Sequence, residues 1–360
     1  MSEAEQTALA ASFRRLIERH GPMPVSRYMG ESNARYYTTR DPLGAAGDFT
    51  TAPEISQMFG ELLGLWCAVA WRQMGSPSPV SLVELGPGRG TLMADALRAL
   101  EMAPDFLECV DVRLVEASPV LRSRQREALS EHTVSWHDGV EDIPDGAAVL
   151  VANEFLDALP IRQIVRRDGA WHERLVAWED DGFRFVLDPA ASPLAALLPD
   201  TLRESSHNGE IAEVSPAVLS LARTAASRIA RDGGAALFID YGHTESALGE
   251  TLQGVRDHAF ADVLADPGSA DLTAHVDFGA FARAAGDVAV HGPVEQGVFL
   301  ERLGIGERSR TLMQSASPRL REAVEAAHRR LTDPAEMGQL FKVVAFTAQN
   351  APPPPGFETP

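Results

Sequence analysis

Three residues in the stretch VANEFLDALP invite a chemical reading: Asn153, Glu154 and Asp157. They follow directly on AAVLVA (147–152), an apolar run of the kind that forms a strand buried on both faces of a parallel sheet. A buried strand ordinarily ends in Gly, Pro or a bland turn, whereas this one ends in an amide and two acids. Ligands of open α/β sheets bind just outside the carboxyl ends of the strands, which makes the position a candidate site. If a helix starts after position 152, Glu154 and Asp157 project from adjacent turns on one side. The competing reading is that Asp157 caps the next segment and Glu154 is solvated.

A second constellation lies upstream. LVELGPGRGTL places Gly86, Gly88 and Gly90 after an apolar strand and before a helix, where glycines permit a tight turn and close approach of a ligand. The spacing is G-x-G-x-G. The dinucleotide fingerprint needs its third glycine where Thr91 stands, and a phosphate loop needs a Gly-Lys-Ser/Thr ending that is absent. Glu84, inside the leading strand, is unwelcome beside a pyrophosphate and reasonable beside a cationic group. The next strand ends in Glu116, where a carboxylate can accept both hydroxyls of a ribose. Asp138, in HDGV, can accept from an adenine amine. Glycine loop and three acids together suit an adenosine that carries an amino acid and a sulfonium, S-adenosyl-L-methionine.

These residues need a scaffold, and the sequence supplies one. VSLVELG (80–86), VDVRLVEAS (110–118), AAVLVA (147–152) and AALFIDYG (235–242) read as strands, separated by helical stretches such as TLMADALRALEM and PVLRSRQREALSE. Such alternation predicts an α/β fold with a parallel, doubly wound sheet. AVHGPVEQ and LFKVVAFTA (340–348) read as further strands. Residues 162–189 contain three alternating runs split by Asp168-Gly169 and Asp181-Gly182, which predicts a β-meander. Residues 4–20 read as an amphipathic helix, and residues 26–50 as an ordered irregular loop. Thr51-Ala52-Pro53-Glu54 has capping-box spacing before an apolar helix. The expected division is an N-terminal extension over 1–78, a core over 79–160 and 206–348, an inserted meander over 161–205, and a disordered tail over 349–360.

The bulk composition narrows the function classes. The net charge is −19, with 32 basic and 51 acidic residues, which argues against a nucleic-acid partner and is compatible with a basic one. Cys67 and Cys109 form neither a disulfide framework nor a metal spacing, and no metal is expected. No apolar run approaches the roughly 20 residues that span a bilayer, so no membrane partner is expected. The N-terminal stretch reads as neither a secretory signal nor a transit peptide, and the expected location is the cytoplasm.

The motifs GDFTTAPEISQMFGELLG, LVELGPGRGTL, VEASPVLR, NEFLDALPIRQ, LFIDYG, DLTAHVDF and MGQLFKV, in this order, resemble the MidA-type methyltransferase family. That family includes the mitochondrial complex I assembly-factor arginine methyltransferase and bacterial relatives. The resemblance spans about residues 20 to 347. It implies a Rossmann-like class I fold whose last strand is antiparallel, S-adenosyl-L-methionine as methyl donor, and a protein arginine, in a basic segment of a respiratory-complex subunit, as acceptor. It also implies that the segment containing Asp48, Thr50, Thr51 and Gln57 closes over the site, although capping alone would explain Thr51 and Glu54. Asp240 and Tyr241 end a strand on the same edge and fit an active-site or a turn role. His275, in DLTAHVDF, is a candidate base or a satisfied loop histidine. A small-molecule acceptor, or a methyltransferase fold without turnover, remain as the alternatives.

Overall fold

A computed structural model of the chain describes residues 3–39 and 50–358. Its centre is a sheet of seven long strands: β1 Val80–Leu85, β2 Val110–Val115, β3 Val134–His137, β4 Ala148–Asn153, β5 Gly234–His243, β6 Ala289–Glu295 and β7 Phe341–Thr347. The order across the sheet is β6-β7-β5-β4-β1-β2-β3, with a short strand, Val276–Asp277, added beside the end of β5. The strands from β5 to β3 pair in parallel, and β7 runs antiparallel to both β5 and β6. The sheet therefore has the topology expected of a class I methyltransferase.

Both faces of the sheet are covered, which explains why its strands are apolar throughout rather than alternating. Leu82, Val149 and Val151 point to one face, against Phe59, Leu63 and Trp66 of helix Gln57–Gln73. Val83, Leu85, Leu150 and Ala152 point to the other, against Ala222 and Ala225 of helix Pro216–Asp232 and Phe281 of helix Phe278–Ala284. Helix Gln57–Gln73 also lies tightly against helix Thr91–Leu100. A Cβ on Gly60 would stand 2.7 Å from the Asp95 Cβ, and one on Gly64 2.7 Å from the Ala96 Cα. Two glycines a helical turn apart thus fix the height of the segment that precedes this helix, directly above the glycine loop.

The meander forms as its turns dictate. Asp168 and Gly169 both adopt positive φ, as do Asp180 and Asp181, between strands Arg162–Arg167, Ala170–Glu179 and Gly182–Ala191. Its sheet also takes in Met23–Pro24 and Ile211–Val214.

Two expectations fail. The segment read as an irregular loop contains a helix, Val25–Thr39, whose buried residues Val25, Tyr28, Met29, Ser32, Asn33 and Tyr36 recur at helical spacing. The period is hidden because the stripe includes a serine and an asparagine. Asn33 is satisfied when buried: its amide donates to the carbonyls of Ala158 and Leu272 at 3.1 and 2.7 Å and accepts from the Leu272 N–H at 3.0 Å. The tail is also placed as far as Glu358. Phe357 is buried against Phe299, the Pro355 carbonyl accepts from the Trp66 indole at 3.1 Å, and that of Gly356 from Arg302 at 2.9 Å. Four prolines limit what this segment loses in conformational freedom on docking, and one phenylalanine anchors it.

Candidate active site

Register brings the candidate residues into one row. Leu85 of β1 stands opposite both Val115 of β2 and Ala152 of β4, and Asn153 stands opposite Ile239 of β5. Gly86, Glu116 and Asn153 therefore stand side by side at the carboxyl edge of the sheet, with Asp240 of β5 one residue beyond Ile239. A cavity of about 310 Å³ opens there, walled by the glycine loop, Glu84, Glu116, Asn153 and Glu154. Asn33, Ala34, Tyr37 and Thr38 of helix Val25–Thr39 supply a further wall, as do Thr51, Pro53 and Glu54.

The loop needs its glycines. Gly86, Gly88 and Gly90 have φ of 64°, 53° and 86°, a region that side chains with a Cβ rarely adopt. A Cβ on Gly86 would also lie 2.5 Å from the Phe155 ring. Beneath the loop, Glu84 is buried and its Oε2 has no hydrogen-bond partner among the described residues. Burial, with Glu116 nearby, pushes its carboxyl up to about 8. A carboxyl group left unpaired in a dry wall is costly unless a ligand satisfies it. Asn153 Oδ1 is orphaned in the same wall. Glu116 is better served: Oε1 accepts from the Ser118 N–H at 2.7 Å and Oε2 from Gln125 at 3.2 Å, while burial still raises it. Orphaned acceptors beside a glycine cradle fit a ligand that carries an ammonium or sulfonium and hydroxyls.

No helix forms after β4. The chain makes a tight turn in which Glu154 has φ of +50°, an uncommon conformation for a glutamate and a mark of a site held in place by its surroundings. The Glu154 N–H donates to the Ile239 carbonyl at 2.9 Å. Its Oε1 accepts from the Ala52 N–H at 2.8 Å and the Asn153 amide at 3.1 Å. Burial pushes Glu154 up to about 7, the approach of Asp157 adding to it. Asp157 is buried behind the turn instead of lining the cavity, where the Tyr241 hydroxyl donates to it, and burial raises it to about 6. Asp240 accepts at Oδ2 from the N–H groups of Phe155, Leu156 and Asp157 at 3.0, 2.8 and 3.2 Å, and at Oδ1 from Tyr241 at 2.9 Å. Burial raises the Asp240 carboxyl, with Asp157 and Glu154 close by. Its four bonds organise the turn.

The remaining candidates are divided. Thr51 begins helix Ala52–Ile55 without a side-chain capping bond, so capping does not account for it. Glu54 instead accepts from the Thr91 hydroxyl and pairs with Arg89 at 3.5 Å, tying this segment to the glycine loop. Thr50 and Gln57 do not line the cavity; Gln57 is exposed and donates to Glu61 at 3.2 Å. Asp48 lies outside the described residues. Asp138 is not brought to the cavity: its side chain is 84% exposed and paired with Arg122 at 2.6 Å. His275 packs edge-on against Tyr241 and lines a separate cavity of about 70 Å³. The sequence reading missed Asn33, Ser118 and Gln125, and assigned Tyr37 to packing. The helical recurrence of buried positions could have found Asn33; no local signal marks the others.

Comparison with known proteins agrees with this geometry. A family model for S-adenosyl-L-methionine-dependent methyltransferases, Methyltransf_28, matches residues 62–294. The protein arginine methyltransferase NDUFAF7 homolog, mitochondrial, of Drosophila melanogaster is 39% identical, with 96% of this chain and 86% of the relative covered. The human protein arginine methyltransferase NDUFAF7, mitochondrial, is 37% identical over 92% of this chain and 81% of its own length. A COG1565 superfamily member from Burkholderia thailandensis, crystallised with S-adenosyl-homocysteine, superposes with a TM-score of 0.82 at 30% identity, covering 99% of this chain and 94% of that one. These relatives also overturn the cytoplasmic expectation, because the curated ones are named as mitochondrial proteins. Among the described residues no helix is long and apolar enough to cross a membrane. From the matched family model, the carboxyl-edge cavity and the full-length relatives together, the chain belongs to the Methyltransf_28 family of S-adenosyl-L-methionine-dependent methyltransferases.

Proposed function

We propose that this enzyme methylates an arginine side chain of a protein, and that Glu154 receives the guanidinium. The observation that carries the reading is the placement of Glu154: a buried carboxyl, held in a left-handed turn, that shares one cavity with the glycine loop and Glu116. The names of the relatives support the class of acceptor. The family resemblance points further, to a basic segment of a respiratory-complex subunit.

When bound, S-adenosyl-L-methionine supplies a methyl carbon that its sulfonium activates for in-line displacement. Gly86 and Gly88 would cradle its methionyl part, with Gly90 packed against helix Pro119–Ala128 behind them; the Glu84 Oε2 and Asn153 Oδ1 would answer its cationic groups, and Glu116 would take the ribose hydroxyls. Thr51 and Glu54 line the cavity and would help to shield the reacting atoms from water. A guanidinium is protonated at any ordinary pH, so its nitrogens are poor nucleophiles until the charge is drawn toward one side of the fork. Glu154 does this, steered by the Asn153 amide and the Ala52 N–H on its Oε1. Asp157, backed by Tyr241, adds negative charge behind the turn. A carboxyl poised near 7 is also suited to taking up the proton released from the methylated nitrogen.

The test is incubation with radiolabelled S-adenosyl-L-methionine and a lysate from cells that lack this protein, followed by acid hydrolysis of the labelled band. Label recovered as methylarginine with wild type, and lost with Glu154→Gln, is the expected result. Label confined to small molecules would transfer the reading to a small-molecule acceptor.

A further inference from the structure

Gln125 belongs to helix Pro119–Ala128, is completely buried, and contributes nothing to the cavity wall. Its amide nevertheless joins two residues that line the cavity, Gly88 and Glu116, to Trp136 of β3. Nε2 donates to the Gly88 carbonyl at 2.7 Å and to Glu116 Oε2 at 3.2 Å, and Oε1 accepts from the Trp136 indole at 2.8 Å. The partners fix which end of the amide is which, since an indole can only donate and a carbonyl only accept. The helix lies close behind the loop at this point. A Cβ on Gly90 would stand 3.4 Å from the Gln125 Cα, at a residue whose φ is +86°.

Among side chains of this length only a carboxamide offers two donor hydrogens at one end and an acceptor at the other. A glutamate here would set its carboxylate against both Glu116 and the Gly88 carbonyl. A methionine would keep the volume and lose all three bonds. Strand pairing sets the two backbones side by side, with the Gly86 N–H donating to the Val115 carbonyl at 3.0 Å, and the Gln125 amide adds the tie between the Gly88 peptide and the Glu116 carboxylate.

We infer that Gln125 is a positioning residue for the cofactor: it locks the Glu116 carboxylate and the Gly88 peptide relative to each other, so that the ribose hydroxyls meet a fixed acceptor. This rests on the reading that Glu116 binds the ribose. It concerns the distance and angle between loop and acid, so its loss should be felt specifically by ligands that have those hydroxyls.

The experiment is calorimetry with S-adenosylhomocysteine and its 2′,3′-dideoxy analogue on wild type, Gln125→Met, Glu116→Ala and the double variant, each first checked by thermal melting without ligand. Gln125→Met should weaken S-adenosylhomocysteine about tenfold, the scale of one hydrogen bond to a charged group. It should weaken the dideoxy analogue distinctly less, through the lost Gly88 bond alone, and should cost less once Glu116 is alanine than in wild type. Equal losses on both ligands, or additive losses in the double variant, would reduce Gln125 to a packing residue. Unchanged binding by Glu116→Ala would overturn the ribose reading itself, and the inference with it. If Gln125→Met does not fold, Trp136→Phe removes the N–H that anchors the amide oxygen, together with part of the ring, and leaves both Gln125 donor bonds in place. It should give a smaller loss of the same ligand pattern, and a loss without that pattern would overturn the inference equally well.

Discussion

Glu84 and Asp240 are two buried acids on the strands that flank β4 in one sheet, and they are satisfied in opposite ways. Asp240 accepts four backbone N–H bonds, three of them from the turn that carries Glu154. Glu84 has an oxygen with no partner among the described residues and a carboxyl pushed up to about 8. The first is complete without a ligand and belongs to the architecture of the site. The second is incomplete and belongs to what the site binds. Residue type and strand position do not separate the two; the destination of each lone pair does.

The largest effect should come from breaking the complete member of the pair. Asp240→Ala strips the acceptor from four N–H groups, those of Leu156 and Asp157 buried and those of Phe155 and Tyr241 partly so, which should destabilise the protein by about 3 kcal/mol or more in denaturant melts. It should also abolish methyl transfer, because residues 155–157 lose the contact that shapes them. A stable, active Asp240→Ala variant would show that strand pairing alone holds the turn.

Next in size is Glu154→Gln, which keeps the shape and the bonds to Ala52 and Asn153 while removing the charge. Methyl transfer should fall by about a hundredfold or more, with the affinity for S-adenosylhomocysteine near wild type. The pH profile should change with it. Glu154 stands at about 7 in the free protein, so kcat/KM should climb between pH 6 and 8 as the carboxylate forms, and the variant should lack that limb. Loss of cofactor binding would instead move Glu154 into the cofactor's share of the cavity.

How much of this was legible in the sequence depends on the range of the interactions. The strands, the glycine loop with its positive φ and the meander turns are set by neighbouring residues, and the sequence shows them. Glu84, Glu116, Asn153 and Glu154 were legible as a group, because the topology of a parallel sheet brings strand ends to one edge. The shape of the turn after β4 was not. A helix was one course the local residues allowed, and the Asp240 carboxylate, contributed from another strand, accepts from three N–H groups of a tighter one. Helix Val25–Thr39 was obscured by its buried Ser32 and Asn33, which are apolar positions in everything but residue type. Capping at Thr51 had the right spacing, but Thr91 and Arg89 compete for Glu54 and win it.

Glu84 sharpens the comparison from the side of stability. A carboxyl with a folded-state value above its unfolded value holds its proton more tightly in the fold. Glu84 therefore supports folding fully below its ordinary 4.5 and loses that support as pH rises through about 8. Glu84→Gln should flatten this decline, giving a ligand-free protein that melts at a higher temperature than wild type at pH 8 and no higher at pH 4. The same variant should bind S-adenosyl-L-methionine about tenfold more weakly, since the cation loses its charged partner. A variant that gains stability yet binds as wild type would place the cationic groups elsewhere.

The smallest effect is expected at Asp138, and it tests where the contrast between buried and exposed acids stops. The sequence places this residue after a strand of the same sheet, as it does Glu116, and the two looked alike in kind. In the fold Asp138 is 84% exposed and its partner is Arg122, which also donates to the carbonyls of Glu116 and His137 at 2.7 and 2.9 Å. Those two bonds hold Arg122 whether or not the carboxylate is present, and exposed ion pairs contribute little to a fold. Asp138→Ala should therefore change the affinity for S-adenosylhomocysteine by no more than about threefold, and the melting temperature scarcely at all. A tenfold loss would mean that Asp138 leaves Arg122 to receive the adenine amine, and that the cavity extends past Glu116 when the cofactor is bound.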